Sequence, residues 1–131
     1  MSETTQTSSR LQGVAGEVDQ SVKEDEVRSF ARPGDGAGAE RQLVGSGVCY
    51  RHDWGDRNGQ HVLNLNWGAV TRNSFVFVAI GEGAPGGGKF IGSARYTLHN
   101  VAPSDGRVSI WVNIEYSSPI RLYVDYLLVN V

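Results

Sequence analysis

The stretch from Arg107 to Val131, RVSIWVNIEYSSPIRLYVDYLLVNV, constrains the fold of this chain more than any other. Val108, Ile110, Val112, Ile114 and Tyr116 alternate with Arg107, Ser109, Trp111, Asn113 and Glu115. After Ser117, Ser118 and Pro119 the alternation resumes: Ile120, Leu122, Val124, Tyr126 and Leu128 are set against Arg121, Tyr123 and Asp125. Successive side chains of a strand point to opposite faces, so each run has one apolar face and one mixed face. The stretch therefore reads as two long antiparallel strands closed into a hairpin by Ser117-Ser118-Pro119. With Tyr116 opposite Ile120, Ile114 meets Leu122, Val112 meets Val124 and Ile110 meets Tyr126. The mixed face then pairs Glu115 with Arg121 and Asn113 with Tyr123. A slip of one residue would set every valine and isoleucine against a polar side chain. Leu127, Val129 and Val131 fall on the mixed face, so the tip is apolar on both sides. A strand of that kind needs cover, from elsewhere in the chain or from another chain.

The chain of 131 residues is long enough for one domain around one core. Its formal net charge is -2, which supplies no basic field for nucleic acid. Met1 to Gln42 carries five Lys/Arg against eight Asp/Glu, and Leu43 to Val131 carries seven against six. An acidic first third is the opposite of the basic arm with which a coat protein packages RNA. The single cysteine, Cys49, excludes an internal disulfide and reads as a buried, inert thiol. MSETTQTSSR contains no apolar core of a secretory leader, and no run reaches membrane-spanning length. The expectation is cytoplasmic synthesis without a signal peptide, with a virion location or export without a cleaved leader as the alternatives, and with no membrane insertion and no nucleic-acid partner.

Residues 1–42 read as an extended N-terminal arm and linker. Leu11, Ala15, Val18 and Val22 recur at helical spacing, which suggests a short helix within 11–30, weakened by Gly13 and Gly16. ARPGDGAGA, from Ala31 to Ala39, has linker composition. Residues 43–131 read as a sheet domain. LVGSGVCYR is its first strand, Arg51 to His61 a turn-rich loop, and HVLNLNW a strand with Leu63, Leu65 and Trp67 on one face. SFVFVAI is apolar on both faces and reads as a central buried strand; GEGAPGGG follows as a loop. KFIGSARYTL turns Phe90, Ala94, Tyr96 and Leu98 inward, and APSDG leads into the final pair. The fold class is all-β: an antiparallel sandwich, jelly-roll-like or of six to eight strands.

Gly83 to Phe90 has the spacing GxxxxGK of a phosphate loop. It lacks the Ser/Thr for magnesium and precedes a strand instead of a helix, so it reads as a glycine-rich hairpin loop. The densest polar cluster is His52, Asp53, Trp54, Asp56, Asn58 and His61. It reads first as a turn, with Asn58-Gly59 as a common turn pair. Trp54 could instead stack on a sugar ring while its neighbours bond hydroxyls, and Asp53, Asp56 and Asn58 could hold calcium. No paired carboxylates, nucleophile elbow or cofactor fingerprint appears, so no enzyme and no cofactor is expected. His99 reads as a solvated histidine. Trp111, Arg121, Tyr123, Leu127, Val129 and Val131 form one face rich in aromatic and apolar groups, suited to an interface between copies.

NVAPSDGRVSIWVN followed by YSSPIRLYVDYLLV resembles the last strands of H-type lectins, over about a quarter of the chain. The resemblance implies a sandwich that oligomerises and binds galactose-type sugars, but it transfers no sugar-binding residue to a position here. Two functions follow as expectations. The first is a non-catalytic structural protein that self-assembles as a homo-oligomer, as in a virion coat, decoration or tail. The second is a cytosolic lectin-like module that binds a carbohydrate.

Overall fold

The structure is a computed structural model that describes residues 14–29 and 46–130. Nine strands are described: β1 (Val14–Ser21), β2 (Arg28–Ser29), β3 (Ser46–Arg57), β4 (Gly59–Asn66), β5 (Phe75–Gly83), β6 (Lys89–Phe90), β7 (Arg95–Ser104), β8 (Arg107–Glu115) and β9 (Ile120–Asn130). They form two sheets packed face to face. Sheet A has the order β1-β4-β8-β7 and sheet B the order β2-β3-β9-β5-β6. Only β1 and β4 run parallel; the other pairs are antiparallel. The all-β sandwich expected from the strand pattern is what forms.

The C-terminal alternation is satisfied by a different pairing from the hairpin expected. β8 and β9 lie in opposite sheets and do not pair with each other. Both pair instead with the same earlier stretch: β8 with β4, from Gly59↔Ile114 to Asn66↔Arg107, and β9 with β3, from Ser46↔Asn130 to Arg57↔Ile120. Ser46–Asn66 and Arg107–Asn130 are thus one long two-stranded ribbon folded back on itself. The crease falls at Asn58 on one strand and at 116–119 on the other. Gly59 sits there at φ +79, a left-handed conformation that glycine adopts without strain. The Asn58 amide donates to Tyr116 O at 3.3 Å, which ties the two strands at the bend, and His61 Nε2 lies 2.8 Å from Asn58 O, across the bend within its own strand.

Folding the ribbon puts its apolar side inside. Leu63, Leu65, Val108, Ile110, Val112 and Ile114 of sheet A face Tyr50, Trp54, Leu122, Val124, Tyr126 and Leu128 of sheet B, all buried. Alternation fixes which side of a strand is apolar. It does not distinguish a neighbour in the same sheet from one stacked about 10 Å away in the facing sheet. Each core strand is also flanked on both edges, β8 by β4 and β7 and β9 by β3 and β5, which a lone hairpin could not provide.

Other expectations are corrected. Val14–Ser21 is a strand where a helix within 11–30 was expected; Gly16 has φ +112, and the open edge of β4 accepts the ladder. Val18 and Val22 still pack on the core. β1 and β2 belong to the sheets and a single 3-10 turn at Glu24–Glu26 lies between them, while residues 1–13 and 30–42 lie outside the described residues. Arg51–His61 is mostly strand, since Tyr50, His52 and Trp54 continue the inward side of β3. β5 is not central: β9 flanks one edge and two-residue β6 the other, with Phe75 and Phe77 facing outward. Phe90, on that short edge strand, is exposed, while Tyr96 and Leu98 turn inward as expected. Lys89 closes the glycine-rich hairpin between β5 and β6, in keeping with the reading of that loop.

Leu122 and Leu127 lie on the same strand with opposite facing, the first buried and the second partly exposed. Leu122→Ala is expected to lower stability by about 2–5 kcal/mol. Leu127→Ala should cost less than about 1 kcal/mol. Urea denaturation of the two variants checks this, and equal losses would contradict the inside-outside assignment.

Candidate functional site

The six polar-cluster residues divide between the two sides of β3 and the crease. Trp54 is 1% exposed and donates from Nε1–H to the Tyr126 hydroxyl at 3.2 Å, so it offers no ring face to a sugar. His52 is also buried, edge-on to Trp54 with ring centroids 4.6 Å apart. Asp53 and Asp56 face outward. A β-bulge between them, with Gly55 at φ +78, inserts one residue and turns both carboxylates toward Arg121, at 3.0 and 3.6 Å. Asn58 turns to Tyr116 and His61 to the Asn58 carbonyl. The trio expected to hold calcium therefore does not converge: two members meet an arginine and the third faces the crease. Among the described residues no group of three or more His, Cys, Asp and Glu could hold a metal ion.

His52 belongs to a hydrogen-bonded line that joins the sheets. Lys23 N–H donates to the Tyr50 hydroxyl at 3.2 Å, and that hydroxyl lies 2.6 Å from His52 Nδ1. His52 Nε2 lies 2.6 Å from Gln20 Oε1 on β1. Gln20 Oε1 can only accept, so the proton sits on Nε2, and Nδ1 accepts from Tyr50. Both ring nitrogens are satisfied by a neutral imidazole. Burial, with a smaller push from the Lys23 charge, lowers its pKa to about 4.

The residues expected to make one interface face are on two. Trp111 projects from the outer side of sheet A, while Arg121, Tyr123, Leu127 and Val129 project from the outer side of sheet B. The single face assumed β8 and β9 to be neighbours. Val131 lies outside the described residues. Glu115 does not meet Arg121, whose partners are Asp53 and Asp56 on β3.

The outer side of sheet B carries features that the sequence reading assigned to the interior. Register places Phe77, Leu127 and Cys49 in one row across β5, β9 and β3, and Phe75, Val129 and Gly47 in the next. Phe75 and Phe77 are 56% and 59% exposed, and the Cys49 thiol is exposed instead of buried. Parity explains the cysteine: Tyr50, His52 and Trp54 take the inward positions of β3. One row further, Arg51 forks onto Asp125 at 2.5 and 3.0 Å, and Lys89 reaches the same carboxylate at 2.8 Å. Lys89 gets there by lying over Gly81, where a Cβ would come within 3.0 Å of its chain. Burial alone would raise the Asp125 carboxyl, but the bonds and charges of Arg51 and Lys89 outweigh it and hold its pKa below the usual range. The apolar rows are thus fenced along one side by a charged clamp across three strands. A cleft of about 540 Å³ adjoins it, with Glu26 and Arg28 on one side and Cys49 and Arg51 on the other.

Comparison of the chain with protein-family models, curated proteins and solved structures yields no match. The fold and the two sheet faces are therefore the grounds for any functional reading. Among the described residues no helix is long and apolar enough to cross a membrane.

The depressed His52 pKa has a pH signature. Unfolded, the imidazole titrates near its ordinary 6.5, and folded near 4. Between those values the unfolded chain binds more protons, so stability is full above pH 6.5, declines as pH falls and levels off below about 4. The decline should be about 2–3 kcal/mol. Urea midpoints across this range test it, and His52→Gln should flatten the slope.

Proposed function

We propose that this protein is a non-catalytic structural module that self-assembles through the outer face of sheet B, the type of component that builds a virion coat, decoration or tail. One observation carries the reading: Phe75 and Phe77 stand more than half exposed on the outer face of sheet B, in register with Val129 and Leu127. Monomeric proteins rarely leave large apolar side chains contiguous on their surface, and patches of that kind mark contacts with other proteins. The occupant is a second copy of the chain. The patch lies at one end of the sheet, and its charged clamp lies to one side. Two copies related by a two-fold axis through the patch place apolar rows on apolar rows and carry their clamps to opposite ends. The result has an apolar centre with a polar rim, to which Arg28 beside Cys49 contributes.

Magnitudes favour an association of moderate strength. A phenylalanine side chain buries roughly 150–250 Å², so covering the exposed part of two per copy removes about 400–600 Å² in a dimer. At about 25 cal/mol per Å² the gross gain is roughly 10–15 kcal/mol. Association costs about 4–15 kcal/mol in lost freedom, which leaves an affinity that Leu127, Val129 and further contacts must strengthen.

The mass in solution decides the matter. Light scattering on the full chain should give a mass above that of the monomer, rising with concentration. Phe77→Asp should return it to the monomer with an unchanged β-sheet circular dichroism spectrum. Cys49, the only cysteine, is a built-in reporter: its thiol should react slowly with a maleimide in the assembled protein and quickly in the variant. A chain that stays monomeric at millimolar concentration, with Cys49 always reactive, would overturn the proposal.

A further inference from the structure

We infer that the outer face of sheet A is a second site, independent of assembly: a flat surface for a neutral polyhydroxylated ligand, a carbohydrate chain, centred on Trp111. The two other tryptophans, Trp54 and Trp67, are 1% and 2% exposed and belong to the core. Trp111 is partly exposed on the outer side of β8, an interior strand of sheet A. Two contacts hold its indole. Nε1–H donates to Gln60 Oε1 at 2.9 Å, and the His99 ring lies against it with centroids 4.6 Å apart and planes inclined by 36°. A register shift between Leu98 and Asn100 accompanies the delivery of His99 to this face. The paired rings are positioned before any ligand arrives, so binding loses little side-chain freedom.

The surroundings select the ligand. Thr97, Asn113 and Gln60 form the adjacent row across β7, β8 and β4. Asn113 and Thr97 are half-buried, and their side chains make no hydrogen bond among the described residues. An amide and a hydroxyl both donate and accept, as sugar hydroxyls do, and an indole face suits the C–H face of a pyranose. The row on the other side is closed. The Asn64 amide donates to Glu17 at 2.8 Å and to Asp19 at 2.7 Å, and its oxygen accepts from Ser109 at 2.6 Å. The open half of the face is therefore the Thr97–Asn113–Gln60 side.

A protein partner fits this face poorly. Interface aromatics act within an apolar setting, as on sheet B, whereas here, among the described side chains, Val62 and Ala102 accompany the indole amid amides, hydroxyls and the flanking charges of Glu17, Arg95 and Glu115. Nucleic acid fits poorly too: Arg107 is engaged by Asn66 at 3.1 Å and approaches Asp19 at 4.0 Å, and Arg95 stands opposite Glu115 in register, so the face has no net basic field. The carbohydrate class expected from the sequence thus returns on Trp111, Asn113 and Thr97, with Gln60 the one member drawn from the 52–61 stretch.

Because Trp54 and Trp67 are sealed in the core, acrylamide quenching of tryptophan fluorescence reports chiefly on Trp111. The full-length protein is titrated with neutral hexaoses of glucose, mannose and galactose to millimolar concentration. At least one should protect Trp111 saturably. Trp111→Ala should weaken binding by about tenfold or more, measured by calorimetry, and Asn113→Ala by several-fold. Trp111→Phe keeps an aromatic face in place and should retain part of the affinity, which separates a lost contact from a lost fold. Phe77→Asp should leave sugar binding unchanged, which keeps this site distinct from assembly. No saturable protection by any hexaose, full binding by Trp111→Ala, or protection that depends only on protein concentration would overturn the inference.

Discussion

The pairing of Ser46–Asn66 with Arg107–Asn130 is the constraint on which the molecule depends. Twelve residues of β3 lie along β9 and eight of β4 along β8, so one edge of each of these four strands is paired within this one association. Creasing it at Asn58 then converts a single apolar side into the two inner faces of a sandwich. The remaining strands are additions to that frame. β1 and β7 extend sheet A, and β2, β5 and β6 extend sheet B. The frame also explains why Trp54 and Tyr126 bond across neighbouring strands while Trp111 stands outside. Along each strand the side a residue occupies follows from its parity relative to the crease, altered at Asp53–Asp56 by the bulge.

Much of this was legible and some was not, for physical reasons that particular residues show. Val108 to Ile114 and Leu122 to Leu128 were correctly read as strands with an apolar side, because burial of one face imposes a period of two. Their partners were unreadable from that pattern, since an in-sheet neighbour and a facing sheet reward the same alternation. His52 and Trp54 read as loop because the polar residues around them resemble turn chemistry, although Tyr50 just before them reads as strand. They are the inward half of a strand whose outward half is Arg51 and Asp53. SFVFVAI was taken for a buried centre because apolarity on both faces normally means cover on both. In the structure that second apolar face is the exposed one, and a sequence read alone records apolarity without recording what covers it.

The two outer faces differ in chemistry, and that difference organises the functional reading. Sheet B presents phenylalanine, leucine and valine beside a self-contained charged clamp. Sheet A presents amides, hydroxyls and one oriented indole. The first sheds water on contact and suits another apolar surface; the second exchanges hydrogen bonds and suits a ligand that carries its own hydroxyls. The sequence reading joined Trp111 to Tyr123 and Leu127 and so merged the two chemistries into a single patch. Placing β8 and β9 in opposite sheets separates them into two faces of distinct chemistry.

The order of strands has a bearing on how the protein comes to be made. β9 occupies the middle of sheet B, yet it lies later in the sequence than each strand it joins. A chain emerging from the ribosome therefore holds β3 and β5 apart, edges open, until their shared neighbour has been synthesised. Sequence separations of this length slow the search for native contacts and leave apolar strands awaiting partners. During that interval the exposed phenylalanines of β5 are without even the flanking leucine, so crowding of nascent chains would penalise this fold more than one assembled from adjacent hairpins.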